Sequence, residues 1–241
     1  MIQNQIAREK SAFLRNSADF SFIFAIYVLP SLINKPPEKP MESLTLNLFQ
    51  IIYIISAVLL IFWRFSKLKN SVKVSETKHS AHAASKVNVL KTMILCSSAL
   101  VLLFLNQVIW QKAFLQFAAE TLQQNLSRPA FSAGLFFSMA VSALFEETVY
   151  RMFLPFQLGN LKAPRPVAEI LPVILFAAGH RTSGIFSVMN ALFAALILRV
   201  LFVQISKLSA NEKNGAFLAA GFGTLIHFSY NALTLLFTFF S

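Results

Sequence analysis

Apolar runs of membrane-crossing length are the feature that most constrains the fold of this chain. A helix needs about 20 mainly apolar residues to cross a bilayer. We find seven candidate spans, of which the first and fifth are short: 20–33, 44–63, 89–110, 131–158, 170–180, 185–203 and 217–240. The composition agrees, because 56% of the 241 residues are hydrophobic and only 13% are charged. The sequence therefore predicts an all-α, polytopic transmembrane helical bundle of seven or eight spans.

Two polar segments interrupt the apolar runs. Residues 64–91 are basic and poor in aromatic side chains, which is typical of a loop. Residues 111–130 alternate apolar and polar side chains at helical spacing, which predicts a helix on the membrane surface. We expect residues 1–130 to form an N-terminal unit and residues 131–241 to form a second unit.

The net charge of +11 is best explained by membrane topology. With the N-terminus in the cytoplasm, the inner segments hold fifteen Lys and Arg residues and the outer segments hold five, as the positive-inside rule requires. Seven spans would then place the C-terminus outside. No basic stripe is interleaved with stacking aromatics, so we expect the lipid bilayer, in a cell (inner) membrane, and no nucleic acid as a partner.

Polar residues inside the last four predicted spans fall into three motifs. They are Glu146-Glu147-x-x-x-Arg151, Phe176-x-x-x-His180 and His227-x-x-x-Asn231. Residues four apart share a helix face, so Glu147 can pair with Arg151. Glu146 would point about 100° away from that pair and be left for chemistry.

The three motifs are predicted to lie at one depth in the bilayer. At a rise of about 1.5 Å per residue, Glu146 is roughly 18 Å from the inner end of its span. His180 and His227 are each roughly 15 Å from the inner ends of theirs. We therefore expect one polar site near the middle of the membrane.

Such a site contains the groups needed to hydrolyse an amide. A buried carboxylate can act as a general base, and a neutral histidine can help it to activate water. A second histidine and an asparagine can stabilise an oxyanion. One carboxylate and two histidines, namely Glu146, His180 and His227, would also suit a zinc ion with an open position. The residues alone leave both mechanisms open.

The motifs, in this order on successive spans, resemble the CPBP intramembrane proteases. These are the CAAX prenyl endopeptidases and bacteriocin-processing enzymes, also called the Abi family, and the resemblance covers about residues 131–240. It implies a CAAX-type endopeptidase that acts on a membrane-associated protein or peptide. In that family's terms, Glu146 and His180 activate water, and His227 with Asn231 forms the oxyanion hole.

The same resemblance implies supporting roles for Glu147 and Arg151. Family members have long been treated as metalloendopeptidases, but a glutamate-and-water mechanism accounts for every matched residue, so we expect no cofactor. The sequence departs from the family pattern at Met152, where many members have glycine, and at Arg181, which follows the second-motif histidine. These departures leave the substrate class open, including whether it is prenylated.

Two other classes of function fit the same residues. The chain could be a non-enzymatic membrane scaffold or immunity protein, in which Glu147 and Arg151 form a purely structural ion pair. It could also be a proton-coupled carrier that uses Glu146 and His180 as a relay. A carrier is expected to show repeated halves, and a scaffold could have lost motif residues. No internal repeat is detected in the sequence and all of the motif residues are present, so the enzyme is favoured.

Overall fold

The computed structural model describes residues 2–33, 54–55, 58–59, 61–62, 89–118, 133–209 and 212–240. All regular structure in these ranges is helical, which confirms the predicted all-α class. The elements, in order, are α1 (Ile2–Ile23), π1 (Phe24–Val28), α2 (Leu29–Ile33), α3 (Val89–Ala118), α4 (Ala133–Glu146), π2 (Glu147–Phe153), α5 (Leu154–Asn160), α6 (Arg165–Gly179), a 3₁₀ turn (Arg181–Ser183), α7 (Ile185–Ser206) and α8 (Glu212–Phe240). Because α4, π2 and α5 follow one another without a break, they form one continuous helical segment.

Two of the described helices are long and apolar enough to cross a membrane. They are Val89–Ala113 within α3 and Ile185–Ser206, which is α7. Both correspond to predicted spans, whereas the predicted total of seven or eight is not confirmed. The run at 44–63 and the basic loop lie largely outside the described residues. Large apolar side chains such as Leu105 and Ile109 are more than half exposed on α3, as expected of a surface that contacts lipid.

Helix α3 extends beyond its predicted end. It continues without interruption to Ala118, so the first residues of the predicted surface helix at 111–130 are part of α3, and the rest lie outside the described residues. The division into units at residues 130 and 131 stays a prediction.

Helix α7 lies at the centre of the bundle and packs against α3, α6 and α8. Its buried face includes Ala191, Ala194 and Ala195. Such small side chains allow neighbouring helices to approach closely, which is the usual basis of helix packing in membranes. This packing brings polar residues of α3, α7 and α8 to one place.

A tight corner joins α6 to α7. Helix α6 ends at Gly179, and His180 follows with φ −90° and ψ 4°. Gly184 then precedes α7 with φ +91°, a conformation that residues with a side chain rarely adopt. The corner fixes His180 at the end of α6, where the predicted span 170–180 also ends.

Candidate active site

The first motif lies where an α-helix changes into a π-helix. Glu146 is the last residue of α4, and Glu147 is the first of π2, all of whose residues are buried. A π-helical turn contains more residues than an α-helical turn, so the angle between successive side chains is smaller. Such turns occur frequently at functional sites.

Both glutamates contact the imidazole of His227. The Oε1 of Glu147 lies 2.9 Å from Nδ1, and the Oε2 of Glu146 lies 3.5 Å from Nε2. The sequence predicted only Arg151 as a partner of Glu147, with Glu146 turned away from that pair. The π-helical turn and the close approach of α8 add His227 as a second partner of Glu147 and place it between the two carboxylates.

Arg151 makes the predicted contact with Glu147. Its Nε lies 3.5 Å from the Oε1 of Glu147, and the two side chains are 2% and 0% exposed. The guanidinium also lies over the ring of Phe176, 4.1 Å from its centroid, which is a cation–π geometry. The cation beside Glu147 offsets part of the cost of burying its carboxylate.

Arg199 of α7 connects π2 to the neighbouring helices. It donates a hydrogen bond to the main-chain carbonyl of Arg151 and forms a salt bridge of 2.6 Å with Glu169 of α6. The main chain of π2 is thus tied to α6 and α7 through one side chain.

The contacts of His180 define its tautomer. Its Nδ1 lies 3.0 Å from the main-chain carbonyl oxygen of Phe176. Because a carbonyl only accepts hydrogen bonds, Nδ1 carries the proton, and in the neutral ring Nε2 is an acceptor. The centroid of the Phe176 ring lies 4.8 Å from that of the His180 ring and 6.1 Å from that of the His227 ring, so Phe176 packs against both histidines.

A cavity of about 370 Å³ joins the second and third motifs. His180, His227 and Asn231 all line it. The remaining lining residues come from α3, α4, α6, α7 and α8: Gln107, Met139, Phe176, Ser187, Asn190, Ala191, Ala194, Tyr230, Thr234 and Leu235. Glu146 is not one of these lining residues, and it reaches the cavity wall through its contact with His227. Glu147 and Arg151 are buried and do not line this cavity.

A cluster of amide and phenol side chains in the cavity wall was missed by the sequence analysis. Asn190 of α7 donates to the Oε1 of Gln107 over 2.8 Å and to the hydroxyl of Tyr230 over 3.1 Å. Asn106, next to Gln107 on α3, donates to Asn190. The signal was available, because Asn106 and Gln107 are adjacent polar residues inside an apolar run of membrane length.

The zinc alternative does not fit the described side chains. No three His, Cys, Asp or Glu residues in the described ranges lie close enough together to hold one metal ion. Glu146, His180 and His227 therefore do not form a set of three ligands as they are placed.

Comparison with known proteins supports the predicted resemblance. Residues 128–233 match the family model described as "Type II CAAX prenyl endopeptidase Rce1-like". An uncharacterized protein of Treponema pallidum (strain Nichols) is 32% identical over 111 residues, which are 44% of this chain and 59% of that protein. The chain thus spans little more than half the length of that relative. No solved structure matches the chain.

Proposed function

We propose that this chain, which carries an Rce1-like type II CAAX prenyl endopeptidase segment at residues 128–233, is an intramembrane endopeptidase. The family implies a hydrolase that is embedded in the membrane and acts on a peptide or protein. The substrate is a membrane-associated protein or peptide, and the enzyme sits in the cell (inner) membrane with its N-terminus in the cytoplasm.

The observation that carries the proposal is the shared cavity of His180, His227 and Asn231, with Glu146 in contact with His227. In the proposed reaction, Glu146 takes one proton from water, while the unprotonated Nε2 of His180 accepts a hydrogen bond from the other O–H of the same water. The water oxygen attacks the scissile carbonyl carbon with a lone pair that forms the new O–C bond, and the π electron pair of the C=O bond moves to the carbonyl oxygen. The proton then passes to the leaving amine as the C–N bond breaks.

Asn231 and His227 stabilise the oxyanion in this scheme. The amide nitrogen of Asn231 is a permanent donor on the cavity wall. His227 can donate from Nε2 only when both ring nitrogens carry protons, since Nδ1 already donates to Glu147. The carboxylate of Glu147 balances the positive charge of that state, since Glu146 holds the proton taken from water. Glu147 and Arg151 thus support the reaction by orienting and balancing His227.

Two substitutions and a matched control test the proposal. The wild type, Glu146→Gln and His227→Ala are each expressed in a bacterial host, and the membranes are isolated. Mass spectrometry then compares the newly formed peptide termini in these membranes. Glu9→Gln makes the same chemical change as Glu146→Gln at an exposed position on α1. We expect new termini with the wild type and Glu9→Gln, and a loss of at least about 100-fold with the other two.

The same experiment distinguishes the enzyme from a scaffold or a carrier. If termini are identical in all four membranes, the endopeptidase proposal is wrong. Synthetic peptide pairs with and without a prenyl group, incubated with the purified protein, then test whether the substrate must be prenylated, as the family description implies.

A further inference from the structure

The cavity has a polar wall formed by residues outside the three motifs. Gln107 of α3, Asn190 of α7 and Tyr230 of α8 meet there. The Oε1 of Gln107 accepts from the Nδ2 of Asn190 over 2.8 Å and from the hydroxyl of Tyr230 over 3.0 Å. Gln107 lies outside the segment that matches the protease family, so the motifs do not explain its place in the cavity.

These contacts determine which end of the Gln107 amide faces away from the cluster. Because Oε1 receives two hydrogen bonds from donors, the amide oxygen is directed into the cluster. The two N–H groups of Nε2 are therefore directed elsewhere. Gln107 is half-buried and lines the cavity, and its Nε2 is not among the buried polar atoms that lack a partner. Among the described residues, none accepts a hydrogen bond from this nitrogen, so it is exposed to the cavity and accessible to a molecule there.

Asn190, by contrast, is fully occupied. Its Nδ2 donates to Gln107 and Tyr230, and its Oδ1 accepts from Asn106. The single hydroxyl proton of Tyr230 is directed to the Oε1 of Gln107, which is nearer to it than the Oδ1 of Asn190. Asn190 and Asn106 alone suffice to tie α3 to α7. An accessible pair of N–H donors on Gln107 adds nothing to that connection, and donors without acceptors are costly inside a membrane.

We propose that Gln107 is a substrate-positioning residue whose Nε2 donates a hydrogen bond to a main-chain carbonyl of the peptide in the cavity. A main-chain carbonyl is the acceptor that every peptide offers, and one fixed donor sets which peptide bond lies beside Glu146 and His180. Gln107 therefore fixes the register of cleavage. This inference rests on the endopeptidase activity proposed above.

The test follows the position of the cleaved bond. The peptide that wild-type membranes cleave most abundantly is synthesised and incubated with purified wild type, Gln107→Glu and Gln107→Met in lipid nanodiscs. Gln107→Glu keeps an oxygen that accepts from Asn190 and Tyr230 but removes both N–H donors. Gln107→Met removes the oxygen as well, at similar length. Mass spectrometry identifies the bond that each protein cleaves.

We expect both variants to cleave at more than one neighbouring bond and to lose about five- to tenfold in kcat/KM, as for the loss of one hydrogen bond. The matched control is Asn106→Ala, which removes a contact to Asn190 but leaves the donors of Gln107. It should lower the melting temperature and keep the wild-type cleavage position.

Each outcome has a separate meaning. If Gln107→Glu and Gln107→Met cleave the wild-type bond alone at the wild-type rate, the positioning role is wrong and the endopeptidase proposal stands. If Asn106→Ala shifts the cleaved bond as much as they do, the cluster acts only through helix packing, which also overturns the inference. If no termini depend on Glu146, the proposed function itself fails before Gln107 is tested.

Discussion

The Nδ1 of His227 lies 2.9 Å from the Oε1 of Glu147, in the buried contact between α8 and π2. A carboxylate only accepts hydrogen bonds, so this contact fixes the proton on Nδ1 and directs the opposite ring nitrogen toward Glu146. Carboxylates that orient a functional imidazole in this way are a recurring device in enzymes. Glu147 is therefore more than the partner of Arg151.

Replacing Glu147 by glutamine affects its two partners, Arg151 and His227, in different ways. The change leaves Arg151 buried without its counter-ion, and breaking a buried pair in this way costs about 3–5 kcal/mol. We expect a lower melting temperature and at least a tenfold loss of cleavage, since the neutral amide no longer balances a charged His227. Thermal unfolding in detergent and the cleavage assay measure the two effects.

The double variant Glu147→Gln/Arg151→Met tests whether Glu147 and Arg151 support the reaction or form a purely structural ion pair. It removes both charges, so stability should be partly restored while cleavage stays low. Recovery of cleavage together with stability would show that the pair is purely structural.

Gly223 of α8 is predicted to be essential for the close approach of Glu147. A Cβ at this position would lie 3.0 Å from the Oε2 of Glu147, and that carboxylate is held by Arg151 and His227. Gly223→Ala should therefore displace the carboxylate and reduce cleavage by about tenfold or more. Gly221→Ala is the matched control, because a Cβ there has no neighbour within 4 Å. It should keep full activity, and its free energy of unfolding should rise by up to about 1 kcal/mol, because alanine has a higher helix propensity than glycine. Equal activity of the two variants would contradict the prediction.

Arg199 is predicted to hold π2 in place. In Arg199→Met, the carbonyl of Arg151 loses its donor from α7, and Glu169 loses its partner. Losing a partner of a buried polar group costs about 1–3 kcal/mol, so the melting temperature should fall. Cleavage should fall too, because Glu147 is the first residue of π2 and Glu146 directly precedes it. Glu169→Gln keeps the bond from Arg199 to π2 and should cause the smaller loss, since Glu169 is 35% exposed. A larger effect of Glu169→Gln would assign the stabilisation to the salt bridge instead.

Local patterns in the sequence predicted the parts of the site that depend on one helix. The pairing of Glu147 with Arg151 follows from a spacing of four residues, and apolar length alone identified α3 and α7 as possible spans. Contacts between helices were not predictable in this way. The position of His227 between two carboxylates requires both the π-helical turn and the approach of α8 at Gly223.

The amide cluster could not be predicted for the same reason, because it depends on contacts between helices. Asn106 and Gln107 could be recognised in the sequence as polar residues in an apolar run. Their partners on α7 and α8 are more than 80 residues away along the chain, so only the packing of the bundle reveals the cluster.

The arrangement of the site also predicts that cleavage is independent of zinc. One carboxylate contacts each ring nitrogen of His227, and the described residues form no group of three metal ligands. A zinc-dependent peptidase needs three protein ligands and an open position for water. We therefore expect cleavage by the purified protein to be unchanged by 1,10-phenanthroline, and elemental analysis to find far less than one zinc ion per chain. The control is a zinc peptidase assayed in parallel, which the chelator must inhibit. The opposite result would be stoichiometric bound zinc, loss of cleavage when the zinc is removed, and recovery of cleavage when it is returned. In that case the ion must be held by a rearranged set of Glu146, His180 and His227, and the proposed water activation by Glu146 and His180 alone is wrong.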